Sequence, residues 1–146
     1  MNELLFQTEA NRLKPSEAYV VAANGILHDL IYSTSGIDGV LLASVDGFEV
    51  NSIFRKKYDA GKLSAVGSSI LALVQAFTSA AHLSNCRSIL LDTEDGKMML
   101  SAVANKNQPM ILTIITGQQV MLGQIIHSMS KAIRQLIELD EQLHNL

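Results

Sequence analysis

Three carboxylates stand close together in the sequence at Asp92, Glu94 and Asp95, immediately before Gly96. Carboxylates grouped in this way can bind a cation or work as a general acid and base. An aspartate followed by glycine is also the strongest short signal for a tight β-turn. We favour the turn, so no metal-binding residue and no catalytic carboxylate pair is predicted here.

The histidines and the cysteine do not form a chemical motif. The spacing of the histidines is not that of metal ligands, and they stand at His28, His82, His127 and His144. Cys86 has no second cysteine to pair with, so it is predicted to be a small buried hydrophobe. No nucleophile, base and orienting residue can be named together. An enzyme is therefore the least favoured class of function, and no catalytic or cofactor-binding residue is predicted.

Basic residues are few, and the one cluster is Arg55, Lys56 and Lys57. With 11 Lys and Arg against 14 Asp and Glu, the formal net charge is −3. A nucleic-acid interface requires a basic stripe, so no nucleic-acid partner is predicted. The sequence has no Gly-x-x-x-x-Gly-Lys-Ser/Thr loop, so the chain is not itself a P-loop GTPase.

The residues above belong to one predicted domain over residues 16–146, preceded by an N-terminal lead-in over residues 1–15. The lead-in is amphipathic, and we assign it no role; its apolar anchors are Leu4, Leu5, Phe6 and Leu13. It has no basic start and no long apolar core, so no signal peptide is expected. A reduced, cytoplasmic protein is the default expectation.

Apolar runs and two Asp-Gly turns predict five strands, over residues 39–45, 48–54, 87–93, 97–104 and 110–116. Helical periodicity predicts a helix beginning at Pro15 and Ser16, a central helix within residues 63–86, and a last helix over residues 120–143. The fold class is therefore α+β, with an antiparallel sheet and the order helix-strand-strand-helix-strand-strand-strand-helix. Consecutive apolar residues in the later strands indicate cover on both faces, with two helices on one face and the central helix on the other.

The central helix lies in a run of 24 residues without a formal charge, between Lys62 and Arg87. Its larger apolar residues recur at helical spacing and are predicted to pack on the sheet: Leu63, Val66, Ile70, Leu73, Val74 and Phe77. The opposite face is small and weakly polar and is predicted to point outward: Gly61, Ala65, Ser68, Ala72, Gln75 and Ser79.

Three interpretations of this helix compete. Its length suits a membrane span, but its serines, threonine and glutamine make direct membrane insertion a poor interpretation. It could be buried between layers of one subunit. We favour a contact with a second copy of the chain or another protein, because low-charge patches mark such contacts. In addition, one helix cannot both cover five strands and keep its own outer face away from water.

The run from Gly39 to Val50, Gly-Val-Leu-Leu-Ala-Ser-Val-Asp-Gly-Phe-Glu-Val, is followed by the small-residue helix of residues 63–81. With the motif Ile-Leu-Leu-Asp-Thr-Glu-Asp-Gly-Lys from Ile89 and the strand of residues 110–116, this order resembles the roadblock family over about residues 18–140. These proteins are related to dynein light chains and to bacterial regulators of Ras-like GTPases.

The resemblance implies a profilin-like, three-layer architecture whose sheet is extended across a homodimer. It also implies that the paired central helices form a platform, which binds a Ras-like small GTPase or a filament-associated partner. By position, it assigns the platform and the seam between copies to Ala65, Ser68, Ala72, Gln75, Ser79, Ile89 and Leu91. Some bacterial members accelerate GTP hydrolysis in their partner without a fixed catalytic motif, so no activity is carried over.

The favoured function is a non-enzymatic, homodimeric regulatory or scaffold module. Arg55, Lys56 and Lys57 are a possible GTPase contact, since an arginine near a bound GTPase can stabilise phosphate charge; the alternative is a solvated connector. The rival function is a small-molecule sensor of profilin-like architecture, which would need a pocket with converging polar groups.

Overall fold

The predicted order of helices and strands is confirmed by the computed structural model, which describes residues 14–144. The elements are α1 (Glu17–Ser33), β1 (Ile37–Ser44), β2 (Glu49–Phe54), α2 (Ala60–Ala80), β3 (Ser88–Asp92), β4 (Lys97–Val103), β5 (Met110–Thr116) and α3 (Leu122–His144). The predicted bounds of the strands and of the last helix lie close to the observed ones. Residues 1–13 of the predicted lead-in lie outside the described residues.

The five strands form one antiparallel sheet in the order β2-β1-β5-β4-β3. Both predicted Asp-Gly turns join neighbouring strands. At the first turn Gly47 has a φ of 96°, a conformation that favours glycine, and its N–H donates to the Ser44 carbonyl at 3.0 Å. At the second, the Thr93 N–H donates to the Gly96 carbonyl at 2.9 Å. The sheet therefore has two edges, and the edge strands are β2 and β3.

The helices lie on both faces of the sheet, as predicted. On one face α1 and α3 pack against the central strands and against each other, and the core there includes Leu27, Leu42, Leu112 and Leu136, which are fully buried. On the other face α2 packs over a smaller cluster formed by Leu71, Leu100 and Ile111. The apolar runs in β4 and β5 are consecutive because alternate residues enter these two separate cores.

Both ends of α2 are capped by the sequence around them. The Asp59 side chain accepts from the Lys62 N–H at the N-terminus. At the C-terminus His82 adopts a φ of 62°, and the Leu83 N–H donates to the Thr78 carbonyl at 2.9 Å, which is the Schellman arrangement. This turn sends the chain back along the sheet toward β3 at its edge.

The prediction that the large apolar stripe of α2 packs on the sheet is wrong. The buried residues of this helix are Ser64, Gly67 and Leu71. A methyl group at Gly67 would lie 3.5 Å from Leu100, so the helix backbone sits close to the strands there. Ser64 and Gly67 face inward because their small size permits this close approach, whereas Val66, Leu73 and Phe77 are turned to the outside.

Candidate protein-interaction site

The outer face of α2 is a row of exposed apolar side chains. Val66, Leu73 and Phe77 recur at helical spacing, with 47%, 70% and 78% of their surface exposed, and Ile70 lies half-buried between them. We refer to these four residues as the outer face. Large apolar side chains grouped in this way on a folded protein are typical of a surface that another protein covers.

The small residues assigned to the platform lie on the helix flank beside the outer face, and the N-terminal ones approach the first hairpin, where Gly47 lies close to Ala65. Ala65, Ala72 and Ser79 are exposed. Ser68 is half-buried and donates to the Val45 carbonyl in the hairpin turn. The assignment of these residues to an interface stays a prediction. The geometry adds the larger side chains of the outer face, although helical periodicity predicts that they pack on the sheet.

Gln75, the remaining residue assigned to the platform, is half-buried and already has partners within the chain. Its amide makes two hydrogen bonds to the backbone of Cys86, just before β3. Gln75 therefore positions the start of the edge strand relative to α2.

The hydrogen bonds at the two ends of β3 show which of its residues face β4. The Ala102 N–H donates to the Arg87 carbonyl at 3.0 Å, and the Thr93 N–H donates to the Gly96 carbonyl at 2.9 Å. In an antiparallel ladder, alternate residues direct both backbone groups to the same neighbour. Since Arg87 and Thr93 both face β4, the odd-numbered residues between them do so too.

The even-numbered residues of β3 therefore turn their N–H and C=O groups to the open edge of the sheet. These residues are Ser88, Leu90 and Asp92, and the side chain of Leu90 is 42% exposed. The predicted seam residues Ile89 and Leu91 are half-buried and pack against the smaller core beneath α2. An open strand edge with an apolar residue at its centre can pair with another strand.

The basic cluster lies between β2 and α2, and its three members have different surroundings. Arg55 donates from Nη2 to the Ile31 carbonyl at 3.1 Å, and its guanidinium lies 5.2 Å from the centre of the Tyr32 ring. Lys56 pairs with Asp38 at 3.2 Å. Lys57 is exposed. Arg55 thus supports the C-terminal end of α1, which has no basic residue of its own in its last turn; its role as a GTPase contact stays a prediction.

The carboxylates at the second hairpin do not assemble a site. Asp92 forms an ion pair with Lys97 at 2.7 Å, across the β3–β4 turn. Within residues 14–144, no group of three His, Cys, Asp or Glu side chains could hold a metal ion.

By length and apolar composition alone, Ala60–Ala80 could also cross a membrane. The same helix caps one face of the sheet and buries Ser64, Gly67 and Leu71 there, so its outer face is a surface of the folded domain. The expectation that it does not insert into a membrane stays a prediction.

The chain matches the family described as the Roadblock/LC7 domain over residues 17–116. No curated protein matches it.

Several solved structures share the fold. An MglB with a tetrameric arrangement is 16% identical and has a TM-score of 0.80, covering 89% of this chain and 96% of that one. The gliding protein MglB of Thermus thermophilus is 16% identical, with a TM-score of 0.79 and the same coverage. Myxococcus xanthus MglB is 14% identical, with a TM-score of 0.79, covering 90% of this chain and 96% of that one. These likenesses extend over nearly the whole described domain and confirm the predicted three-layer fold of the single chain. The extension of the sheet across a homodimer stays a prediction.

Proposed function

Because the chain belongs to the Roadblock/LC7 domain family, we propose that it is a homodimeric regulatory module that binds a Ras-like small GTPase in the cytoplasm. The module has no catalytic centre of its own in this proposal. It acts by presenting a surface that a second copy and the GTPase cover together.

The observation that carries the proposal is the outer face of α2. Leu73 and Phe77 each expose more than two thirds of their surface, in a stretch of 24 residues that contains no formal charge. Removing apolar surface from water contributes roughly 25 cal/mol per Å², and this is the main gain available to such a face. A protein surface of matching shape provides that gain, and the absence of nearby charges lowers the cost of desolvation.

The open edge of β3 supplies the second half of the proposed dimer. Antiparallel pairing of two copies about Leu90 places Ser88 of each copy opposite Asp92 of the other, and every outward backbone group of the strand gains a partner. Such pairing forms a continuous sheet of ten strands and brings the two α2 helices to the same side. The tetrameric arrangement of a structurally similar MglB supports self-association as a property that this fold allows.

The experiment compares Leu73→Asp with Val21→Asp. Val21 lies on α1, away from the outer face, and is 73% exposed, so its substitution matches Leu73 (70%) in exposure and in added charge. Binding of a purified Ras-like GTPase from the same organism is measured by fluorescence anisotropy, with the GTPase loaded with GDP or with a non-hydrolysable GTP analogue.

Leu73→Asp is expected to weaken binding at least about tenfold, because a carboxylate would be buried without a partner, whereas Val21→Asp leaves it unchanged. Equal affinities for both variants, or no GTPase binding by the unaltered chain in either nucleotide state, would overturn the proposal.

A further inference from the structure

A cleft of about 730 Å³ lies between α3 and the part of the sheet formed by β3 and β4. It exists because α3 packs on α1 and over β4, and its main contacts do not extend to β3 at the edge of the sheet. Gln75 of α2 also lines the cleft, where its amide bonds the backbone of Cys86. The cleft is therefore bounded by the sheet, by α3 and by the segment that joins α2 to β3.

Most of the lining on the α3 side is apolar. Ile126 is 45% exposed, Ile133 and Ile137 are half-buried, and the side chains of Met99 and Met129 lie buried beneath them. Methionine side chains are flexible and can adapt their shape to a neighbouring group. From Ile126 to Ile137 the cleft follows α3 for roughly 17 Å, at about 1.5 Å per residue, so an elongated apolar group can lie along it.

The charges that line the cleft all have the same sign. Arg87 stands just before β3 and Arg134 is on α3, and both side chains are exposed. Among residues 14–144 neither guanidinium has an ion-pair partner, and the described residues that line the cleft include no aspartate or glutamate. Two unpaired cations in a chain whose formal net charge is −3 favour an anionic ligand at this place.

The two arginines belong to the same half of the cleft. Asp140, near the C-terminal end of α3, accepts from the backbone N–H and the side-chain amide of Asn107 at 3.3 and 3.1 Å, so this end of the helix lies beside the loop that follows β4. Helix α3 therefore runs in the same direction as β4. Arg134 lies in the second half of α3, and the Arg87 carbonyl accepts from the Ala102 N–H at 3.0 Å near the end of β4.

The cleft thus has a cationic half and an uncharged half, and the uncharged half is formed around Met99 and Ile126. Its size favours a small molecule over a protein. The surface that lines it is several times smaller than the roughly 800 Å² that each partner buries in a stable protein–protein contact. Its volume lies within the range of about 300–1,000 Å³ that is usual for small-molecule sites.

We propose that this cleft binds an elongated amphiphile of the fatty-acid class, with its carboxylate at Arg87 and Arg134 and its hydrocarbon chain toward Met99 and Ile126. A guanidinium can donate two parallel hydrogen bonds to a carboxylate. The hydrocarbon chain is removed from water against the methionines and isoleucines of the cleft. The proposal does not depend on GTPase binding.

The test measures the affinity of the chain for dodecanoate, below the concentration at which it forms micelles, by isothermal titration calorimetry. Arg134→Gln is compared with Lys131→Gln. Lys131 is also exposed on α3 but does not line this cleft, so its substitution removes the same charge from the same helix at a different place. Circular dichroism confirms that each variant is folded.

Arg134→Gln is expected to weaken the binding of dodecanoate about tenfold, because the carboxylate loses a charged hydrogen-bond donor. Lys131→Gln is expected to keep the affinity of the unaltered chain. Equal affinities for the two variants would overturn the proposal, and so would the absence of binding by the unaltered chain at millimolar dodecanoate.

Cys86 reports where the ligand lies, because it is the only cysteine of the chain and lines the cleft next to Arg87. The rate at which iodoacetamide, a neutral reagent, alkylates the Cys86 thiol is measured with and without dodecanoate. Dodecanoate is expected to slow this reaction at least about fivefold when most of the clefts are occupied. An unchanged rate in chains that bind dodecanoate would overturn the proposal, since the ligand would then lie elsewhere, such as on the outer face of α2.

The same titration of Leu90→Pro distinguishes a cleft within one chain from a site between two copies. Leu90 does not line the cleft, and its N–H faces the open edge of the sheet. We expect Leu90→Pro to bind dodecanoate as the unaltered chain does. Binding that disappears in this variant would place the ligand between two copies and would overturn the proposal. No GTPase is present in these measurements, so failure of GTPase binding leaves their outcome unaffected.

Discussion

The side-chain amide of Gln75 and the backbone of Cys86 form a reciprocal pair of hydrogen bonds. Gln75 Oε1 accepts from the Cys86 N–H at 3.3 Å, and Gln75 Nε2 donates to the Cys86 carbonyl at 3.5 Å. The pair connects α2 to the residues that lead into β3, so it joins the two parts of the proposed dimer surface within one chain.

Substitution of Gln75 by leucine is expected to destabilise the fold by about 1–2 kcal/mol, because it leaves the half-buried Cys86 N–H and carbonyl without their partner. The measurement is urea unfolding followed by circular dichroism. Ser79→Ala is the control, since Ser79 is exposed on the same helix, and it is expected to stay within about 0.5 kcal/mol. Equal stability of Gln75→Leu and the unaltered chain would contradict a positioning role for this amide.

Proline at Leu90 is expected to abolish dimerisation and leave a folded monomer. The Leu90 N–H faces the open edge of the sheet, so its loss removes a bond to the partner strand only. Proline at Leu91 instead removes a bond to β4 and is expected to cost about 3 kcal/mol of stability or more. Size-exclusion chromatography with light scattering, combined with urea unfolding, separates the two outcomes. A dimeric Leu90→Pro variant would show that the copies do not join through this edge.

The strands could be predicted closely from the sequence because their signals are local. The Asp46-Gly47 and Asp95-Gly96 turns fix where strands end, and the predicted span of β5 coincides with the observed one, Met110–Thr116. The spatial order of the strands is not local, and the position of β3 at the open edge came from the resemblance to a family and from the structure.

The orientation of α2 could not be predicted from charge, because Lys62 in its first turn is its only charged residue and the rest of the helix carries no charge on either face. When both faces of a helix lack charges, periodicity identifies two faces but does not say which is buried. Because large apolar side chains are usually buried, Leu73 and Phe77 are predicted to face the sheet. In the structure Ser64 and Gly67 face it instead, because they allow close packing against the strands. The sequence therefore pointed to α2 as the candidate site, which stays a prediction, but it assigned the larger side chains of this helix to the buried side, whereas the structure exposes Leu73 and Phe77.

Arg55→Ala is expected to lower the free energy of unfolding by about 1 kcal/mol, because the guanidinium bonds the Ile31 carbonyl and lies over the Tyr32 ring. Lys57→Ala, at an exposed neighbouring position, is the control and is expected to have no effect. If Arg55 also reaches the phosphates of a bound GTPase, the same variant slows single-turnover GTP hydrolysis while leaving binding intact. An unchanged hydrolysis rate in a complex of unchanged affinity would leave Arg55 with its structural role alone.

The stability of the chain is expected to fall as the pH rises from 10 to 12 because of Tyr19. Burial raises the pKa of Tyr19 to about 12; the hydrogen bond from Asn105 opposes this shift, and the nearby Asp140 adds to it. Above pH 10 the unfolded chain loses this proton while the folded chain keeps it, so the loss of stability reaches up to about 1.4 kcal/mol per pH unit. The Tyr19→Phe variant has no hydroxyl to ionise at this position, so this loss of stability is not expected in it. Unfolding curves recorded from pH 9 to 12 for both chains give the difference, and parallel pH profiles would contradict a buried, protonated Tyr19.

If protein covers the outer face of α2 and the open edge of β3, two copies of the chain associate in solution, and sedimentation equilibrium measures the mass of the resulting species. At micromolar concentration and moderate salt, we expect twice the 15.9 kDa mass of one chain, and a single-chain mass for Leu90→Pro under the same conditions. A single-chain mass for the unaltered protein throughout the micromolar range would show that these surfaces do not join two copies.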